Sequence, residues 1–103
     1  MKATLLINTD AAIATKTLKN FTVDQGKTVQ LFQRGLAGAE AIVIELLGSD
    51  EDPDGASVPV DAKWIATQSL SDFQKTAVLS APGNYRLHIE TSAGAVVAGV
   101  YGD

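Results

Sequence analysis

The residues of this chain with the spacing of a metal-binding loop are Asp50, Asp52 and Asp54, followed by Gly55. In a calcium loop, oxygen ligands come from positions one, three and five, and a Gly at six makes the sharp bend. Asp61 falls at position twelve of that register. Three features weigh against the pattern. The flanking residues read as strands instead of helices, Ser57 stands at position eight where a β-branched apolar residue is usual, and Asp61 is shorter than the usual bidentate Glu. A solvated acidic hairpin loop is therefore preferred, with calcium at Asp50–Asp54 the minority alternative.

The remaining chemistry is quickly searched. A serine nucleophile needs a base within reach, and the single imidazole is His88, which alternation places between Arg86 and Glu90 on the polar face of a strand. Gly35 and Gly38 lack the Lys-Ser/Thr and the following helix of a phosphate cradle. No Cys is present, so neither a thiol nucleophile nor a His/Cys zinc cluster can form. A paired-carboxylate hydrolase needs two acids at a fixed separation across one cleft, and these acids crowd into one loop. No catalytic, cofactor-binding or metal-ligating residue is assigned, no cofactor is expected, and the chain reads as a non-enzyme.

Composition narrows the class. The chain has 103 residues, enough for one hydrophobic core, so residues 1–103 are read as a single domain. Hydrophobic residues make up 46% and charged ones 19%, a globular balance. Six aromatics (one Trp, two Tyr and three Phe) leave a thin core of Ala, Val and Ile, with Trp64, Phe73 and Tyr85 as its expected large pieces. The absence of Cys excludes a small disulfide-braced secreted domain and favours folding inside a cell. The apolar run after Met1 breaks at Asn8-Thr9-Asp10, too early for a signal peptide, and no run approaches the length of a membrane span.

Twelve acids against eight bases give a net charge of −4. Between Arg34 and Lys63 there is no base, while Glu40, Glu45, Asp50, Glu51, Asp52, Asp54 and Asp61 all fall there. Such a surface repels nucleic acid and anionic membranes, so neither is an expected partner.

The elements that would carry these residues are short and extended. After Pro82-Gly83-Asn84, Tyr85, Leu87 and Ile89 alternate with Arg86, His88 and Glu90, the period of a strand with one buried face. Gly94 then supplies a turn, and Val96 to Tyr101 a return strand, which together predict a hairpin. Residues 3–8 read as a first strand and 13–19 as extended chain. Phe21 and Val23 are expected to pair with Val29 and Leu31 across a turn at Asp24-Gln25-Gly26-Lys27. Ala41–Leu47 is a nearly continuous apolar run interrupted by Glu45, the mark of a strand covered on both faces or by a partner chain. An edge strand around Val58 and Val60, and strands over 64–68 and 74–79, complete the set. Seven or eight short strands at this spacing predict an all-β protein, a single two-sheet antiparallel sandwich.

Leu79, Pro82, Gly83, Tyr85 and Leu87 resemble the tyrosine corner of immunoglobulin-like and fibronectin III-like sandwiches, in which a Tyr hydroxyl bonds back to the preceding loop. The resemblance implies an immunoglobulin-like order, with residues 73–79, 84–91 and 95–101 as its last three strands. Trp64 lies too close to Tyr85 to be the core Trp of such a domain, and a jelly roll is the alternative. In length and in its Cys-free, Ala/Gly/Thr/Val-rich style the chain resembles accessory virion proteins of tailed bacteriophages, the capsid decoration (cement) or tail-associated sandwiches. That resemblance implies a structural protein made in the host cytoplasm and carried in the virion, a larger shell protein as partner, and a homo-oligomer. The competing expectation is a carbohydrate-binding or adhesion module, calcium-dependent or not. Exposed Trp64 would favour sugar binding, and an apolar patch around Ala41–Leu47 would favour assembly.

Overall fold

In the computed structural model of the chain, which describes residues 2–48 and 64–102, every regular element is a strand. These are β1 (Lys2–Asn8), β2 (Thr17–Val23), β3 (Val29–Arg34), β4 (Ala41–Leu47), β5 (Trp64–Ser71), β6 (Thr76–Leu79), β7 (Gly83–Ile89) and β8 (Val97–Gly102). They form two four-stranded sheets, β1-β8-β3-β6 and β2-β7-β4-β5, with all observed pairs antiparallel. The expected all-β two-sheet sandwich is what the chain forms.

The order of the strands follows the jelly-roll alternative. Pairs β1 with β8, β2 with β7, β3 with β6 and β4 with β5 are the rungs of one long hairpin. Folding that hairpin over brings β3 beside β8 and β4 beside β7, which closes two sheets. An immunoglobulin order would instead keep the last two strands as neighbours in one sheet. Here β7 and β8 lie in opposite sheets, so the hairpin expected across Gly94 does not form. The pairing of residues 21–23 with 29–31 also fails, because β2 and β3 belong to different sheets. Lys27 N–H does bond the Asp24 carbonyl at 3.1 Å, and Gly26 has φ of +81°, so the turn is real but crosses between sheets. The acidic loop, Asp61 and the edge strand at Val58 and Val60 lie outside the described residues.

Between the sheets sit Leu31, Ile42, Ile44, Leu70, Leu87 and Ile89, all fully buried. Alternation does this work: on β7 the inward set is Tyr85, Leu87 and Ile89, as expected. Each such burial is worth roughly 1.5–3 kcal/mol. Phe73 is not part of the core. It is 91% exposed, on the turn before β6, which begins only at Thr76.

The tyrosine corner is present. Tyr85 donates its hydroxyl to the Ala81 carbonyl at 2.9 Å, while its ring stacks on Phe21 with centroids 5.6 Å apart. The corner turns the chain from β6 in one sheet to β7 in the other. Tyr85→Phe keeps the ring packing and removes the bond, so urea unfolding should show a loss of about 0.5–1.5 kcal/mol. Equal stability would mean the hydroxyl contributes nothing.

Candidate functional site

The two outer faces of the sandwich differ in kind, and their chemistry follows from register. On the β2-β7-β4-β5 sheet, Glu45 of β4 lies directly across from Arg86 of β7. Arg86 Nε donates to Glu45 Oε1 at 2.6 Å. His88, two residues along the same face, places Nδ1 3.1 Å from Glu45 Oε1 and Nε2 2.9 Å from Glu90 Oε2. Beside this chain, Thr22 donates its hydroxyl to Asn84 Oδ1 at 2.9 Å.

Trp64 reaches this face through a β-bulge. Between Ile44 and Glu45 the β4–β5 register slips, so Gln68 opposes Ile44 but Ala66 opposes Glu45. Thr67 is the extra residue, and its hydroxyl bonds the Ile44 carbonyl at 3.0 Å. A one-residue slip turns every later side chain to the other face. Without it Trp64 would share the face of Leu70; with it Trp64 pairs with Leu47 and lies under Arg86, whose guanidinium carbon is 4.5 Å from the ring centroid. Arg86 is only 1% exposed and Trp64 only 8%. The charge is thus held between an aromatic face and a carboxylate, the two environments that make a buried guanidinium tolerable.

This network ties strands together and has the wrong geometry for a base. Both His88 nitrogens face carboxylates, so neither is turned to a hydroxyl nucleophile. A ring protonated at both nitrogens donates to both acids, whereas a neutral ring donates to one. Among the described residues, no group of three or more His, Cys, Asp or Glu is arranged to hold a metal ion.

Two of the acids counted as anionic surface have structural tasks. Glu45 is matched by Arg86, and Glu40 accepts from the backbone N–H of Ala37 at 3.0 Å and of Ala93 at 2.6 Å. Asp50, Glu51, Asp52, Asp54 and Asp61 lie outside the described residues, so the calcium alternative does too.

The opposite sheet presents a different surface. In one row across it, Leu5, Gly99, Phe32 and Thr76 stand side by side; in the next stand Ala3, Tyr101, Gln30 and Val78. The alternate residues Leu31, Ala77 and Ala98 point into the core, so these rows face out. Leu5 is 48% exposed, Val78 56% and Tyr101 40%. Val29, Gln30, Val78 and Tyr101, with Lys27 from the β2–β3 turn, border an open depression of about 470 Å³ at one end of the face.

Ala41–Leu47 is not the exposed patch anticipated. β4 is an interior strand between β7 and β5; Ile42 and Ile44 are core, and Val43, Leu46 and Leu47 are half-buried. Ile42 and Ile44 face the core, while Val43 and Leu47 lie on the outer side of the sheet among their strand neighbours Ser69, His88 and Trp64. Trp64, the anticipated sugar platform, lies beneath Arg86. Two further aromatics, Phe32 and Tyr101, share the outer face of the β1-β8-β3-β6 sheet. Among the described residues no helix is long and apolar enough to cross a membrane. No family model matches the chain, and neither does any curated protein or solved structure.

Proposed function

We propose that this chain is a non-enzymatic assembly protein that docks on a larger protein shell through the outer face of its β1-β8-β3-β6 sheet. The observation that carries the reading is the contrast between the two faces. The Arg86 face is occupied by a network of polar side chains bonded to one another across strands, while the other leaves Leu5, Val78 and Tyr101 open to water. Contiguous apolar area of that kind on a small domain marks a contact surface. A tailed-phage virion is the setting that the chain's length and composition favour, as a capsid decoration or tail-associated component, and calcium or another cofactor has no part in the reading. Sandwich folds host many functions, so the face carries this argument and the fold does not.

Density-gradient separation of lysate from the native source tests it. The chain should sediment with megadalton particles. Leu5→Lys and Val78→Lys, at exposed positions where stability changes should stay within about 0.5 kcal/mol, should move it to the top. A wild-type chain that remains at the top as a small species contradicts the proposal.

The second reading, a carbohydrate-binding module, draws on one specific feature of the same face. Phe32 and Tyr101 border a shallow depression with Gln30 and Thr76, a pair of rings beside an amide and a hydroxyl. Glycan binding abolished by Tyr101→Ala would favour that reading over assembly.

A further inference from the structure

Among the described strands, β1 and β6 are the edges of one sheet and β2 and β5 the edges of the other. An edge strand offers backbone N–H and carbonyl groups to any second strand that can lie beside it. Three of these edges are spoiled as templates by their own shape. β1 slips register between Leu5 and Ile7, with Leu6 the extra residue, and β5 carries the bulge at Thr67. β6 is only four residues long. Bulges bend an edge away, and a short strand gives a second one little to pair with.

β2 has neither defence. It runs beside β7 over seven residues, Thr17–Val23, without a register shift. It holds Leu18, Phe21, Val23 and two threonines, no Pro or Gly, and one charge, Lys19. Without that charge the segment has the composition that stacks strand on strand.

Register places the charge on the side where it obstructs pairing most. Lys19 lies opposite Leu87, Phe21 opposite Tyr85 and Thr17 opposite Ile89, so the three share the core-facing side of their sheet. Leu87, Ile89 and Val23 on that side are buried, whereas Lys19 at the rim is exposed. A strand added beside β2 would extend the core-facing side past Lys19 and draw its ammonium out of water. Burying a charge is costly unless an acid meets it. Two copies of β2 bring two cations and no acid, and like charges on paired strands repel.

We propose that Lys19 keeps β2 from pairing with β2 of a second copy, so that the chain meets its partners through its faces and not along this edge. The contact it prevents is isologous, the same strand on both copies about a two-fold axis. This goes beyond the docking reading and does not rest on it, because it concerns the purified chain and the opposite sheet.

Sedimentation velocity from about 10 µM to about 1 mM chain, a range that reads a Kd of that order, tests it on wild type, Lys19→Val, Lys19→Thr and Lys19→Glu. Lys19→Val should associate at least about 10-fold more strongly than wild type, with the added amide-hydrogen protection on residues 17–23. Lys19→Thr, which removes the charge without adding a large apolar group, should associate in the same way. Lys19→Glu keeps a charge on the rim and should sediment like wild type. Emission from Trp64 reports that each variant is folded, and Lys19→Thr decides the matter if Lys19→Val is not. Valine and threonine variants that sediment like wild type, a Lys19→Glu variant that associates as strongly as they do, or added protection outside residues 17–23 overturns the proposal.

Discussion

Replacing Arg86 by alanine should cost the fold about 3–5 kcal/mol, the effect of removing one partner from a buried ion pair. Its Nε bonds Glu45 at 2.6 Å and its guanidinium covers Trp64. Removal leaves the half-buried Glu45 carboxylate with His88 as its remaining partner and opens a gap over an indole ring. For a chain of this length the melting temperature should fall by more than about 12 °C. Trp64 is the sole tryptophan, so its emission reports this change directly. The control is Glu45→Leu with Arg86→Met: taking away both charges together should recover much of the loss, because the pair is replaced by apolar groups and His88 keeps its contact with Glu90. If Arg86→Ala unfolds at the wild-type temperature, the pair has no part in holding β4 to β7.

The second large effect is at Gly35. Its φ of +107° lies where side chains are strained, and an added Cβ would fall against the backbone carbonyl of Ala95. That contact is where the β3–β4 loop meets the chain leading into β8. The neighbouring segment cannot yield easily, since Thr9 N–H donates to the Val96 carbonyl at 3.0 Å and Val96 N–H to Thr9 Oγ1 at 2.9 Å. Ser92 adds a second tie, its Oγ accepting from Ile13 N–H at 3.0 Å. Backbone strain of about 1–3 kcal/mol and overpacking of about 1–3 kcal/mol together predict a loss of about 2–6 kcal/mol for Gly35→Ala. Urea unfolding should show a much lower midpoint; Gly38→Ala, at φ +59° in open space, should lose less because only the backbone term applies. Equal midpoints for the two variants would mean that the Ala95 contact is not fixed.

What was legible in the sequence was local. Alternation from Tyr85 to Ile89 marks both the strand and its buried face, and Pro82-Gly83-Asn84-Tyr85 marks a corner whose hydroxyl bond is made. The same corner serves equally well in an immunoglobulin-like sandwich and here, because in both it carries the chain from one sheet to the other. Partner choice was not legible for that reason. Asp24-Gln25-Gly26-Lys27 makes its turn, yet whether β2 and β3 then pair is decided by β7 and β8, more than sixty residues away. Long-range pairing leaves little trace in local turn chemistry.

The proposed docking face was hidden by a similar limit. The apolar stretch at Ala41–Leu47 draws attention by its continuity, but Ile42 and Ile44 are core and Val43 and Leu47 are half-buried between neighbouring strands. Leu5, Phe32, Val78 and Tyr101 come from four different strands and share a face only after the sheet has formed. Trp64 is buried, as expected of a large piece, but beneath Arg86 on the sheet's outer side, because a single bulge residue, Thr67, reverses which face it occupies. Glu45 was the available clue: one acid in an otherwise apolar strand needs a cation opposite, and Arg86 is the buried cation that β7 supplies.

Hydroxyl-radical footprinting of the purified chain, and of the chain within native megadalton particles, reads the docking face directly. Phe32 and Tyr101 should be oxidised readily in the free chain and strongly protected in the particle, while His88 on the opposite sheet should react equally in both. Equal oxidation of Phe32 and Tyr101 in the two states, with protection at His88 instead, would contradict docking through the β1-β8-β3-β6 face.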